Sequence, residues 1–203
     1  MSEQRHFLVH KPYGFLSQFL SNFPSEARKK RFLGELHDFP EGTMSIGRLD
    51  EHSEGLLLLT TDGRVSEQVR RKDVEKEYYA QVDGLITDEA VAQLQQGVEI
   101  GLAEGKYQTL PCVAYRLSSP PDLPPRTRHI RSDRHGPTSW VSITVTEGKY
   151  RQVRKMTAAV GFPTLRLVRV RIGNIWLGDL VAGEVREVAA FDVPSLSSVE
   201  ADT

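Results

Sequence analysis

Three features of the 203-residue chain predict an α+β fold built on a mostly antiparallel sheet. The strand-like runs are short and divided by turn residues, without the regular helical crossovers of a parallel sheet. Two of them, Trp140–Thr146 and Leu165–Ile172, alternate apolar with polar side chains, the pattern of a strand with one buried face. The helical stretches are few, short and scattered between them.

Taken in order, His6–His10 reads as a strand that stops at the Lys11-Pro12-Tyr13-Gly14 turn. Pro12 lacks a ladder donor there, and Gly14 permits positive φ. The mostly polar stretch Glu26–Leu36, with Phe32, Leu33 and Leu36, reads as a helix. Gly55–Thr60 is short and apolar throughout, which suits a buried strand. Asp62-Gly63 marks a turn, Val65–Arg71 a helix and Tyr78–Val82 a strand. Thr87 or Asp88 can cap a helix that runs through Gln95 and ends at Gly97. Val98–Gly101 and Pro111–Leu117 are further strands. Ser118–Pro137 holds five prolines and four arginines and reads as a loop, either ordered or a mobile insertion. In Trp140–Thr146, Val141, Ile143 and Val145 share one face. Arg151–Val160 places Val153, Met156, Thr157 and Val160 at helical spacing. Leu165–Ile172 sets Arg166, Arg169 and Arg171 on its polar side. Ile175–Leu180 and Glu184–Val188 complete the sheet, and Asp192–Thr203 reads as a frayed tail.

Composition narrows the function. With 39% hydrophobic and 26% charged residues, the chain has enough apolar side chains for a core, which excludes bulk disorder. Uninterrupted apolar runs such as Leu56–Leu59 fall far short of the roughly 20 residues of a membrane span. The polar start lacks the apolar segment of a signal peptide, and the single Cys112 allows neither an internal disulfide nor a cysteine zinc cluster. A cytoplasmic protein of one or two domains is expected. The net charge is only −1, but the charge is segregated. Basic runs occur at Arg28–Arg31, at Arg70–Lys76 and at Arg126–Arg134, and Lys149–Arg171 contains seven Lys or Arg and no acid. Four such runs in a near-neutral chain favour a face for a polyanion.

The segment Gly47–Gly63 carries the chemistry: a charged, glycine-bounded loop feeding an apolar strand. Such a loop is anchored against a core, which suits a catalytic group. Asp50 can serve as nucleophile or base, and Arg48 can contact a phosphate or fill the space of an extruded base. An Asp–Arg ion pair or a capped turn fits the same spacing. So does a glycosidase-like pair at Glu51 and Glu54, or a hydrolase using Asp50 with Glu54. Spacing alone leaves these open.

Four segments in one order resemble the RsuA-type family of RNA pseudouridine synthases: Lys11-Pro12-Tyr13-Gly14, Gly47–Gly63, Lys76-Glu77-Tyr78 and Glu147–Met156. The resemblance runs from about Phe7 to Val188. Pro137–Trp140 and Gly161–Arg169 resemble the members that modify 23S ribosomal RNA. His10 and Lys155 depart from the commoner Asn and Arg of the motifs, and a catalytic domain without a separate N-terminal RNA-binding domain of the ribosomal-protein-S4 type is expected.

The resemblance implies the pseudouridine synthase fold: a long curved antiparallel sheet shared by two α+β subdomains, with a central cleft. The expected catalytic domain is 5–192, with its subdomain boundary near 74–85 and a disordered tail at 193–203. It implies that a uridine's N1–C1′ bond breaks, the base turns and C5 rebonds to C1′, which requires no cofactor. Asp50 would be the nucleophile; whether it attacks the ribose, attacks the base or deprotonates the ribose stays open. Tyr78 would stack on the flipped uracil, and Arg154 would pair with Asp50 and keep it ionised. RNA contacts are expected from Arg48, Lys11, Lys76, Arg126, Arg128, Arg131, Lys149, Arg151 and Lys155. The expected partner is 23S rRNA, with no membrane, metal or nucleotide cofactor, and the chain acting as a monomer. The competing reading is a non-catalytic rRNA-binding factor of ribosome assembly.

Overall fold

The computed structural model describes residues 4–71, 73–131 and 133–193. In chain order the elements are β1 (His6–Lys11), α1 (Pro24–Lys29), β2 (Met44–Ile46), β3 (Glu54–Thr60), α2 (Gly63–Val69), β4 (Lys76–Asp83), α3 (Asp88–Gln96), β5 (Glu99–Leu102), β6 (Gly105–Gln108), β7 (Val113–Arg116), β8 (Thr138–Val145), α4 (Gln152–Ala159), β9 (Thr164–Ile172), β10 (Ile175–Trp176) and β11 (Val185–Val188). Short 3-10 turns lie at Leu33–Glu35 and Asp133–His135. The chain divides into two compact units: Met1–Val74 with Pro124–Thr127 and Arg169–Thr203, and Glu75–Leu123 with Arg128–Val168.

In the first unit the strand order is β11-β1-β3-β9, with β2 on β3 and β10 on β9. β1 runs antiparallel to β3 in a register that sets Phe7 opposite Leu59 and Val9 opposite Leu57. Those four side chains therefore share a face, which Leu33 closes together with Phe19, Leu36 and Phe39. Leu56 and Leu58 point to the other side and are also fully buried. Burying one leucine stabilises by roughly 1.5–3 kcal/mol, so β3 is the anchor of this unit.

The expected helix Glu26–Leu36 is split. α1 starts at Pro24, buries no residue and stops before Lys30, which is extended. Its sequence has no apolar stripe to hold it to the core. The backbone then turns so that Leu33 enters the core, and the Glu35 carboxylate accepts the Phe32 amide at 2.8 Å. β10 is only two residues long, where a strand through Leu180 is expected. Phe191 and Val193 are buried, so the chain is packed as far as Val193; the rest of the expected tail lies outside the described residues.

In the second unit the order is β9-β4-β8-β7, and β5 and β6 form a separate hairpin. Tyr78 pairs with Ile143, Ala80 with Val141, and Ala114 with Ile143 across β4, β8 and β7. This face meets Val91 and Leu94 of α3 and Val153 and Met156 of α4 in one core. Thr87 caps α3 through its hydroxyl, which accepts the Ala90 amide at 3.2 Å. Gly97 stops it at φ 89, and a Cβ there would lie 2.3 Å from the Thr109 carbonyl oxygen. β2 and β6 are not foreseen from sequence: each is too short to show a period, and β6 has a single apolar residue, Tyr107. Ser118–Pro137 holds no strand or α-helix among its described residues. Arg166 and Arg169, expected on a polar strand face, are both buried.

Candidate active site

Asp50 sits half-buried on the loop between β2 and β3, and the residues on both sides of it are tied down. The Ser17 hydroxyl donates to the Leu49 carbonyl at 2.8 Å and accepts the Leu49 amide at 2.9 Å. On the other side, the Glu51 carbonyl accepts the Gly14 amide at 2.8 Å and the Lys11 ammonium at 3.4 Å. The Glu51 carboxylate pairs with Lys30 at 2.7 Å. The Asp50 carbonyl accepts the Ser53 amide at 3.0 Å, which closes a turn into the buried start of β3. Gly47, at φ 70, supplies the left-handed bend that opens the loop. The Lys11–Gly14 turn is thus the mechanical partner of the Asp50 loop, and the two motifs are linked by hydrogen bonds. Arg48 is exposed beside it.

Around this loop the first unit packs a charged layer. Tyr13 stacks on His52, with ring centroids 5.1 Å apart and planes at 16°. The Arg126 guanidinium lies 3.8 Å from the Tyr13 ring centroid, and its Nε is 3.8 Å from Glu54. Lys11 donates to the carbonyls of Phe15 at 2.6 Å and Pro12 at 3.0 Å. Burial pushes the Lys11 ammonium down to about 7, against the opposing pull of the Glu54, Asp50 and Glu51 carboxylates.

The second unit carries the other expected residues. Tyr78 lies on β4, half-buried, with its ring packed against the core. Arg154, on α4, is half-buried with Nη1 3.5 Å from the Thr164 carbonyl oxygen. Lys76 donates to the Thr146 carbonyl at 2.9 Å, and Arg131 pairs with Asp83 at 2.5 Å. Lys149 lies 4.5 Å from the Tyr107 ring centroid, and Lys155 donates to the Gly101 carbonyl at 2.7 Å. Arg128 and Lys149 are exposed. Arg151 takes the left-handed conformation, φ 51 and ψ 35, at the start of α4.

Two expected RNA contacts are corrected. Lys11 is fully buried under backbone carbonyls and has no surface to offer a phosphate. The Arg126 side chain is only 9% exposed, held between Tyr13 and Glu54. Both are scaffold for the Asp50 loop. Lys30, expected in a basic face, also belongs to that scaffold through Glu51. Ser17 gives no signal in sequence, because a serine 33 positions before Asp50 shows no local pattern. Among the described residues no group of three His, Cys, Asp or Glu stands together to hold a metal ion.

Comparison with known proteins gives a consistent result. The family profile described as RNA pseudouridylate synthase matches residues 5–159. Ribosomal large subunit pseudouridine synthase E of Xanthomonas campestris pv. campestris is 42% identical over 181 residues, which covers 88% of this chain and 92% of that protein. The protein of that name from Vibrio parahaemolyticus is 38% identical over 192 residues, covering 93% of this chain and 75% of that one. Among solved structures, a pseudouridylate synthase crystal structure aligns with a TM-score of 0.71 at 27% identity, covering 93% of this chain and 71% of that one.

Proposed function

Because the chain belongs to the RNA pseudouridylate synthase family, and is an isomerase that forms pseudouridine, we propose that its substrate is a specific uridine of 23S ribosomal RNA and that Asp50 is the nucleophile. The relatives named for the large ribosomal subunit support that substrate. The observation that carries the catalytic assignment is the anchoring of Asp50. Ser17, Gly14, Lys11 and Lys30 fix the residues before and after it, while Asp50 itself is half-buried on a loop. Holding a reactive group in one geometry lowers the entropic part of a barrier.

In this reading the target base leaves its stack, since it is inaccessible inside one. The N1–C1′ bond breaks, the uracil turns, C5 bonds to C1′, and the C5 proton is replaced by one on N1, so the product is an isomer of the substrate. The Tyr78 ring is the platform for the turned base, and Arg154 is the cation proposed to act with the Asp50 carboxylate in the reaction. Arg48, Lys76, Arg128, Arg131, Lys149, Arg151 and Lys155 serve phosphate contacts, with the ion pair of Arg131 to Asp83 exchanged for RNA.

The test is pseudouridine mapping in 23S rRNA from cells lacking the gene, with complementation by wild type and by Asp50→Asn. One pseudouridine should vanish and return only with the wild type. Purified Asp50→Asn should lose at least a thousandfold in rate while keeping its melting temperature and RNA affinity. Activity of that variant within tenfold of wild type would remove Asp50 from the mechanism. RNA binding with no pseudouridine formed by the wild type would instead point to an assembly factor.

A further inference from the structure

Apart from the Asp50 loop, the second unit carries a cleft of about 480 Å³ between the β5–β6 hairpin turn and the turn that leads into α4. Two tyrosines and two lysines line it: Tyr107 and Lys106 from β6, and Lys149 and Tyr150 from the second turn. Tyr150 is 71% exposed, unusual for an aromatic side chain that no core requires. Each ring has a cation over it, Lys149 4.5 Å from the Tyr107 centroid and Lys155 5.1 Å from the Tyr150 centroid.

The cleft is held in shape from below. Glu147 accepts from the Tyr107 hydroxyl, from the Leu110 amide at 2.9 Å and from the Gln152 amide group at 2.8 Å. Gln152, itself buried, accepts the Lys149 amide at 3.1 Å. Lys155 ties α4 to the hairpin through the Gly101 carbonyl at 2.7 Å. Arg151, next to Tyr150, is the one non-glycine residue with positive φ among the described residues. A left-handed residue of this kind persists only where its surroundings dictate it, and such conformations gather at functional sites. The result is a rigid mount that presents Tyr150 to solvent.

We infer that this cleft binds an unpaired nucleotide of the substrate RNA, its base stacked on Tyr150 and its phosphate held by Lys149 and Lys106. The inference rests on the RNA substrate proposed above. An exposed ring beside lysines is an arrangement that grips single-stranded nucleic acid without reading its sequence. The cleft's volume lies in the range of small-ligand sites, enough for a nucleotide. Glu104 stands on the rim and Glu99 pairs with Lys106 at 2.8 Å, but that pair is exposed and a phosphate can replace it.

The experiment measures affinity for a 23S rRNA transcript and for a short oligouridylate by filter binding across a salt series. The variants are Tyr150→Ala, Tyr150→Phe and the double variant Lys106→Gln with Lys149→Gln. Tyr150→Ala should weaken both RNAs roughly five- to a hundredfold, and Tyr150→Phe should bind within about twofold of wild type. The double variant should lower the slope of log K against log salt by about 0.7 per lysine. Melting temperatures verify folding, which an exposed ring does not govern. Wild-type affinity of Tyr150→Ala for both RNAs would overturn the inference. A wild-type enzyme that forms no pseudouridine would refute the proposed reaction, and the affinity comparison would still decide the cleft.

Discussion

Lys11 shows how a single residue changes meaning between sequence and fold. In sequence it is a cation in a turn; in the structure its Nζ is buried among the carbonyls of Phe15, Pro12 and Glu51. Its ammonium is pushed down to about 7 by burial, with the Glu54, Asp50 and Glu51 carboxylates opposing the shift and Arg169 adding to it. The sign of the linked stability follows. Between pH 7 and 10.5 the unfolded chain keeps a proton on Lys11 that the folded protein has released, so raising pH through that window stabilises the fold. Lys11→Met should therefore flatten the rise of melting temperature between pH 7 and 10 relative to wild type. Parallel profiles of the two proteins would contradict this account. Ser17 and Lys30 belong to the same scaffold, and neither role is marked locally in sequence, where Ser17 stands in no pattern and Lys30 only in a basic run. Their partners, Leu49 and Glu51, are reached only through the fold.

At the scale of elements, agreement between sequence and structure follows the strength of the pattern. β3 was legible because its leucines leave no polar face, and the register with β1 then buries them on both sides. α3 was legible from its cap and from its terminal glycine. Gly97 is required twice over: its φ is 89, and a Cβ would lie 2.3 Å from the Thr109 carbonyl oxygen. Gly97→Ala should cost about 2 kcal/mol or more, since a residue with a Cβ held at φ 89 and ψ 148 costs of order 1–3 kcal/mol in backbone strain alone. Urea denaturation measures it, and a loss below half a kcal/mol would mean that the α3–β5 junction relaxes freely. The helix expected at Glu26–Leu36 failed for the complementary reason. Its apolar residues cluster at one end, so the core takes Leu33 from a tight turn and leaves α1 with no buried residue.

For the whole molecule, the net charge of −1 conceals basic runs segregated along the chain, and RNA association should show them. Affinity for 23S rRNA should fall steeply with salt, with a log–log slope of about −0.7 for each phosphate contacted on single strands. A slope near zero would mean that the basic runs are solvated faces. The sequence by itself determined the α+β class, the strong elements and the family, because hydrophobic period, caps and motif order are local properties of the chain. It also put Asp50, Tyr78 and Arg154 forward as the reactive set through that family resemblance. Only the tertiary structure decided which cations face solvent. Arg126 and Lys11 look no different in sequence from Arg128 and Lys149, yet the first pair is folded onto Tyr13, Glu54 and backbone carbonyls while the second pair is exposed. Burial is set by contacts between residues far apart in the chain, and a charge carries no mark in the sequence of whether the fold will give it water or a partner.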